Sequence, residues 1–180
     1  MDFSLNALGV NEKKNILFSG KTNQAKKLIE LLLKKEENKK NVFVVFDPSN
    51  YFNVTQNFTV ISKKSLKDFS LTKISAQIHE TQKNPNNKGI LLFDSISSMI
   101  SFNPVNAVYS FLFFESRKAK EMNYSLVCFV DETLFSKEVL QNIKGMMDFN
   151  FFFEFKEKKL FIEQTAFPFN SIKKNYSFDL

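Results

Sequence analysis

Short apolar runs alternate with longer amphipathic stretches along the chain. The runs Asn15–Ser19, Val42–Phe46, Ile90–Phe93 and Ser125–Val130 show almost no polar alternation. Such runs predict strands covered on both faces, as in a parallel sheet. Between them, apolar residues recur at helical spacing. Ala25, Leu28, Ile29 and Leu32 predict a helix to about Lys35, with Thr22 or Asn23 as its cap. Leu71, Ile74 and Ile78 predict a second, ending near Lys83. Val105, Val108, Tyr109, Leu112, Ser116 and Ala119 predict a third, opened by Asn103-Pro104 and reaching about Met122. Val139, Leu140, Ile143 and Met147 mark a fourth. Thr59–Ser62 reads as a short strand, while Tyr51–Phe58 supports no assignment.

The pattern changes after residue 148. Phe149–Lys156, Leu160–Thr165 and Tyr176–Leu180 predict three strands with no helix between them, and Glu157-Lys158-Lys159 can turn the first pair into a hairpin. Alternation followed by a β tail predicts an α/β fold: a mainly parallel twisted sheet flanked by helices, with a C-terminal antiparallel β extension. Residues 1–14 read as a lead-in that docks through Phe3, Leu5 and Leu8. Residues 15–180 read as a single domain.

Composition adds constraints. The single cysteine, Cys128, lies in an apolar run, which predicts a buried thiol and excludes an internal disulfide or a cysteine-cluster zinc site. No segment is apolar for long enough to cross a bilayer, and Met1–Val10 lacks the features of a signal peptide. The expectation is a cytoplasmic protein without membrane insertion. Net charge is +6, and the excess is N-terminal: residues 1–90 hold 15 Lys against 8 acids, residues 91–180 hold 10 Lys plus Arg against 11. The doublets Lys13-Lys14, Lys26-Lys27, Lys34-Lys35, Lys39-Lys40 and Lys63-Lys64 suit solvated faces or an anionic partner such as nucleic acid.

The candidate chemistry centres on Lys88–Ile100. Its apolar strand ends in Asp94 and then a Ser-rich turn, and ligands of open α/β sheets gather at the carboxyl ends of strands. Asp47 and Asp131-Glu132 follow strands in the same way. Together these acids suit a hydrated divalent cation, or simply solvated turns. Gly20-Lys21-Thr22 has the ending of a phosphate loop before a helix, but the leading glycine position is Asn15. The intervening residues belong to the first strand, leaving little chain to wrap a phosphate. His79, the sole histidine, reads as a surface residue beside Glu80, which argues against histidine-based catalysis or metal binding. No dinucleotide fingerprint occurs. The phenylalanines sit in apolar runs that favour packing over base stacking, and Arg117 is the only arginine.

The order of elements over residues 15–180 resembles the RecA-like core of KaiC- and RadA-type proteins, as a degenerate archaeal-type member. Ile90–Met99 is similar to that family's Walker B strand and its Asp-Ser-(apolar)-Ser turn. Phe111–Lys118 resembles the long helix that follows. Met147–Phe155 and Lys159–Glu163 resemble the closing aspartate and hairpin. The resemblance implies ATP at the first strand–helix turn, with Gly20, Lys21 and Thr22 as its vestige and Asp94 supporting Mg²⁺. Asp47, followed by Pro48, stands where the family's catalytic glutamate is expected, and Asp131-Glu132 where a polar sensor is often found.

Three readings follow. The first is a pseudo-ATPase with no catalytic residues and no required cofactor, acting on a protein partner or on itself. The second is an atypical Mg-ATP protein using Lys21, Thr22 and Asp94, with Asp47 orienting water. The third, an acid-cluster phosphoacceptor, lacks paired acids after the first strand and leaves the C-terminal hairpin unexplained.

Overall fold

A computed structural model describes residues 3–8, 10, 13–35, 40–47, 58–66, 69–84, 88–165 and 174–179. After a 3₁₀ turn at Asn6–Leu8 come β1 (Asn15–Ser19), α1 (Thr22–Lys35), β2 (Asn41–Val45), β3 (Phe58–Ser62) and α2 (Leu71–Gln82). β4 (Gly89–Phe93), α3 (Ile96–Phe102), α4 (Val105–Glu121), β5 (Tyr124–Val130) and α5 (Lys137–Gly145) follow. The chain ends in β6 (Phe149–Lys156), β7 (Lys159–Thr165) and β8 (Lys174–Asp179). The predicted architecture is the one observed. One sheet runs β3-β2-β4-β5-β1-β6-β7-β8, parallel from β3 to β6 and antiparallel over the last two pairings.

Every residue of β1, β2, β4 and β5 is buried, as strands covered on both faces require. Successive side chains point to opposite faces, so each strand feeds two cores. Ile16, Phe18, Val45 and Phe129 pack with α1 and with Phe3, Leu5 and Leu8 of the N-terminal segment. Leu17, Val44, Phe93 and Cys128 pack beneath α2, α3, α4 and α5. Burial also pushes the Cys128 thiol pKa up.

The first core buries seven phenylalanines: Phe3, Phe18, Phe43, Phe129, Phe151, Phe153 and Phe178. Phe18 pairs in register with Phe129 on β5 and Phe151 on β6, stacking on each at 5.4 Å between ring centroids. Phe153 closes the row edge-on, 6.5 Å from Phe18. Each aromatic pair contributes about 0.5–1.5 kcal/mol beyond area burial.

Two expectations need correction. The Ser-rich stretch after Asp94 is a helix, α3: Ser95 is its N-cap, and its hydroxyl accepts the Ser98 N–H at 3.0 Å. Serine favours turns and caps for the same reason, so the local signal was ambiguous. His79 is not an open surface residue. It is half-buried, with Nε2 3.3 Å from Oε2 of the fully buried Glu115 on α4. The unassigned residues 51–57 lie outside the described residues, and Phe58 opens β3.

Gly89 is required by close approach rather than by a turn. A Cβ there would collide with the Lys40 carbonyl oxygen and come within 2.8 Å of Tyr124 Cε1. Neither neighbour can retreat, since Asn41 Oδ1 accepts the Ile90 N–H at 2.8 Å and Tyr124 is buried in β5. Gly89→Ala is expected to cost about 1–3 kcal/mol in urea unfolding, the usual range for overpacking.

Candidate functional site

The carboxyl ends of β1, β4 and β5 lie side by side, and the residues that follow them form one small site. β1 ends at Ser19 and α1 begins at Thr22, so Gly20 and Lys21 alone make the turn. The Gly20 N–H donates to the Val130 carbonyl at 3.1 Å, which extends the β1–β5 pairing into the turn. A Cβ on Gly20 would stand 2.7 Å from the Phe153 ring and 2.8 Å from the Phe153 carbonyl oxygen. The helix therefore starts directly above the sheet edge, with an aromatic ring filling the space beside it.

The first N–H groups of a helix have no partner within it and carry its positive end. At α1, Asp131 supplies the acceptor. Its Oδ2 takes both the Thr22 N–H and the Thr22 hydroxyl at 2.9 Å. Its Oδ1 takes the Thr133 N–H at 3.1 Å and the Thr133 hydroxyl at 2.6 Å. The Asp131 N–H in turn donates to Ser97 Oγ at 3.2 Å, so α3 holds the carboxylate's backbone. Burial pushes the Asp131 pKa upward, but the bonds from Thr133 and Thr22 outweigh it and leave the carboxyl below its ordinary value.

Asp94 does different work one strand away. It is 1% exposed. Its Oδ1 accepts the Phe46 N–H at 2.7 Å and its Oδ2 the Asp47 N–H at 3.0 Å. The Asp94 N–H donates back to the Val44 carbonyl at 3.3 Å. The carboxylate thus ties the end of β4 to the chain leaving β2. It meets Asp47 through that residue's backbone.

Gly20, Thr22, Asp94 and Asp131 line one cavity of about 10 Å³. That volume accommodates about one water molecule. The Lys21 side chain is exposed and Asp47 is half-buried. Among the described residues, no group of three or more His, Cys, Asp or Glu side chains is placed to hold a metal ion. No described helix is long and apolar enough to cross a membrane. Of the residues the sequence tied to one site, Gly20, Thr22 and Asp94 line this cavity, and Lys21 and Asp47 do not. Sequence reasoning missed the bond from Asp131 to Thr22, across 109 residues, and the Phe153 ring, because neither leaves a local signal.

No family model and no curated protein matches the chain. Solved structures do. The KaiC-like protein PH0186 from the hyperthermophilic archaeon Pyrococcus horikoshii OT3 aligns over 93% of this chain and 86% of its own, at 16% identity and a TM-score of 0.67. The flagellar accessory protein FlaH from Methanocaldococcus jannaschii aligns over 94% and 86%, at 16% identity and 0.60. A DnaB-like replicative helicase aligns over 92% of this chain and 54% of its own, at 9% identity and 0.64. The fold is RecA-like. In this RecA-like sheet the described site occupies the β1–α1 turn and the ends of β4 and β5.

Two predictions test the bonds at this edge. Asp94→Ala leaves the Phe46 and Asp47 N–H groups without their acceptor and is expected to lower unfolding stability by about 2–4 kcal/mol. Asp94→Asn keeps one amide acceptor and should cost roughly half as much in the same urea titration. For Asp131, the folded pKa lies below the ordinary 3.8, so its contribution is present above that value and is lost as pH falls through the folded pKa. Melting temperatures of wild type and Asp131→Asn should therefore differ at neutral pH and converge on the acid side of that window.

Proposed function

We propose that this chain is a RecA/KaiC-like pseudo-ATPase: a regulatory or protein-interaction module with a degenerate phosphate loop. The observation that carries this reading is the occupied N-terminus of α1. A working phosphate loop offers its backbone N–H groups and the helix's positive end to an external anion. Here the Asp131 carboxylate already takes the Thr22 N–H and hydroxyl, with the Phe153 ring against Gly20. The remaining space is about 10 Å³. Mg-ATP does not fit these residues as arranged. The Thr22 hydroxyl donates to Asp131, and both Asp94 oxygens accept backbone N–H groups.

One observation favours the second reading, an atypical Mg-ATP protein. Thr22 and Asp94 line the same cavity, as nucleotide chemistry at this turn requires. Opening it would need Asp131 to leave α1 and Phe153 to turn away from Gly20.

Calorimetric titration with Mg-ATP separates the two. The expected result is no binding up to millimolar nucleotide. Micromolar binding that is lost on Lys21→Ala, a substitution at an exposed side chain, would overturn the pseudo-ATPase reading.

A further inference from the structure

Glu115 and Asp94 are the acids buried among the described residues, and their surroundings differ. Both oxygens of Asp94 accept backbone N–H groups. Glu115 stands inside α4, whose backbone N–H groups are engaged within the helix, and its partners are two side chains of α2. The Ser75 hydroxyl donates to Oε1 at 2.6 Å, and His79 Nε2 lies 3.3 Å from Oε2. Ser75 and His79 are four positions apart, so both reach α4 from one face of α2. Oε2 and Nε2 are each buried, and neither completes an aligned hydrogen bond among the described residues. What faces Oε2 is therefore whatever charge the imidazole carries.

That charge depends on pH. A buried carboxylate is costly unless a cation or several donors answer it, and an imidazole changes charge between about pH 5 and 8. No other group takes its place. On α2, Lys73 and Glu80 are exposed, and Glu80 pairs with Lys83. On α4, Arg117 lies over the Phe113 ring at 5.6 Å, Lys118 pairs with Glu121 and Lys120 with Asp148. α5 meets α4 at Tyr109, which donates to the Val139 carbonyl; its Lys144 pairs with Glu132, and Lys137 and Glu138 are exposed. β2, β3, β4 and α3 carry no titratable side chain. β5 contributes Tyr124 and Cys128, and burial raises the pKa of both, which keeps them neutral. His79 keeps 27% of its side chain exposed beside the Phe114 ring, so it exchanges protons with solvent.

Burial dominates the Glu115 carboxyl and holds its pKa above the ordinary 4.5, against the opposing pull of Ser75 and His79. The folded chain therefore keeps a proton there that the unfolded chain has released. The stability this supplies is complete below 4.5 and is lost as pH rises through the folded value. A protonated imidazole acts in the same direction, since it answers the carboxylate and disappears on the alkaline side.

We propose that Glu115 and His79 form a pH-sensitive latch between α2 and α4, which holds while the pair keeps a proton and loosens when that proton is lost. Ser75, His79 and Phe114 also line a groove of about 550 Å³ between these helices, so the latch sets the freedom of the groove's walls. The latch stands apart from the pseudo-ATPase reading and does not depend on it.

Hydrogen exchange on the full chain tests it, at about pH 5.5 and about pH 8.5, on either side of the ordinary histidine value and corrected for intrinsic rates. The quantity read is the opening of α2 relative to α1, which packs on the other face of the sheet. The expected result is a loss of α2 protection of about tenfold or more at the higher pH, the change that one pKa unit supplies, with α1 unchanged. Glu115→Gln, which keeps the size of the side chain and cannot titrate, should abolish that loss. Glu115→Leu serves the same comparison, and circular dichroism melts identify the variants that fold. Equal α2 protection at both pH values overturns the proposal. So does a loss that α1 shares, and so does one that persists in a folded Glu115 variant. None of these outcomes touches the Mg-ATP titration, so failure of the latch and failure of the pseudo-ATPase reading remain distinct.

Discussion

Gly20 has no room for a side chain. The Phe153 ring and backbone close on it from β6, and the Gly20 N–H is held by the Val130 carbonyl of β5. Those contacts bring strand and helix together through two residues, and the rest of the site follows. A helix beginning that close to the sheet edge presents its first N–H groups to whatever ends the neighbouring strand. Asp131 directly follows β5, and one oxygen of its carboxylate reaches two donors on Thr22 while the other gathers Thr133. Negative charge at the positive end of a helix is favourable, and this carboxylate is held by four bonds.

Asp94 and Asp131 occupy the same edge and solve related problems. Where a strand stops, the chain departs from the ladder and leaves N–H groups without carbonyl partners. Asp94 gathers two such groups beyond β2, in full burial, and Asp131 gathers the N–H groups of Thr22 at α1 and of Thr133. Carboxylates lined up at a sheet edge suggest a cation when only the sequence is read. In the folded chain the oxygens of Asp94 and Asp131 accept backbone N–H groups and tie neighbouring segments together.

Legibility in the sequence followed the range of the interaction. β1, β2, β4 and β5 could be read because a strand covered on both faces is apolar throughout. α1, α2, α4 and α5 could be read because a face at helical spacing is local. α3 could not, since Ser95 and Ser98 serve equally as turn or cap residues. His79 was misread for a different reason: its partner, Glu115, sits on a helix 36 positions away, and an acid on an otherwise apolar helix face resembles an ordinary surface residue. Gly20-Lys21-Thr22 shows both limits. Its shortness was visible, but the side chains that fill the space around it come from β6 and from Asp131 just after β5.

The site and the stability of the sheet use the same bonds. Phe153 belongs to the aromatic row that joins β1, β5 and β6, and its ring also bears on Gly20. Asp131 binds α1 while its own backbone is held by Ser97 of α3, so it connects helices on opposite faces of the sheet. Making room for an anion at α1 therefore requires breaking a carboxylate–helix contact and moving a ring out of a close-packed core. Interiors packed at that density resist such shifts, because a displaced side chain leaves a void or a clash. The barrier to rearranging this turn lies in the packing of three strands, which a change at Lys21 alone cannot alter.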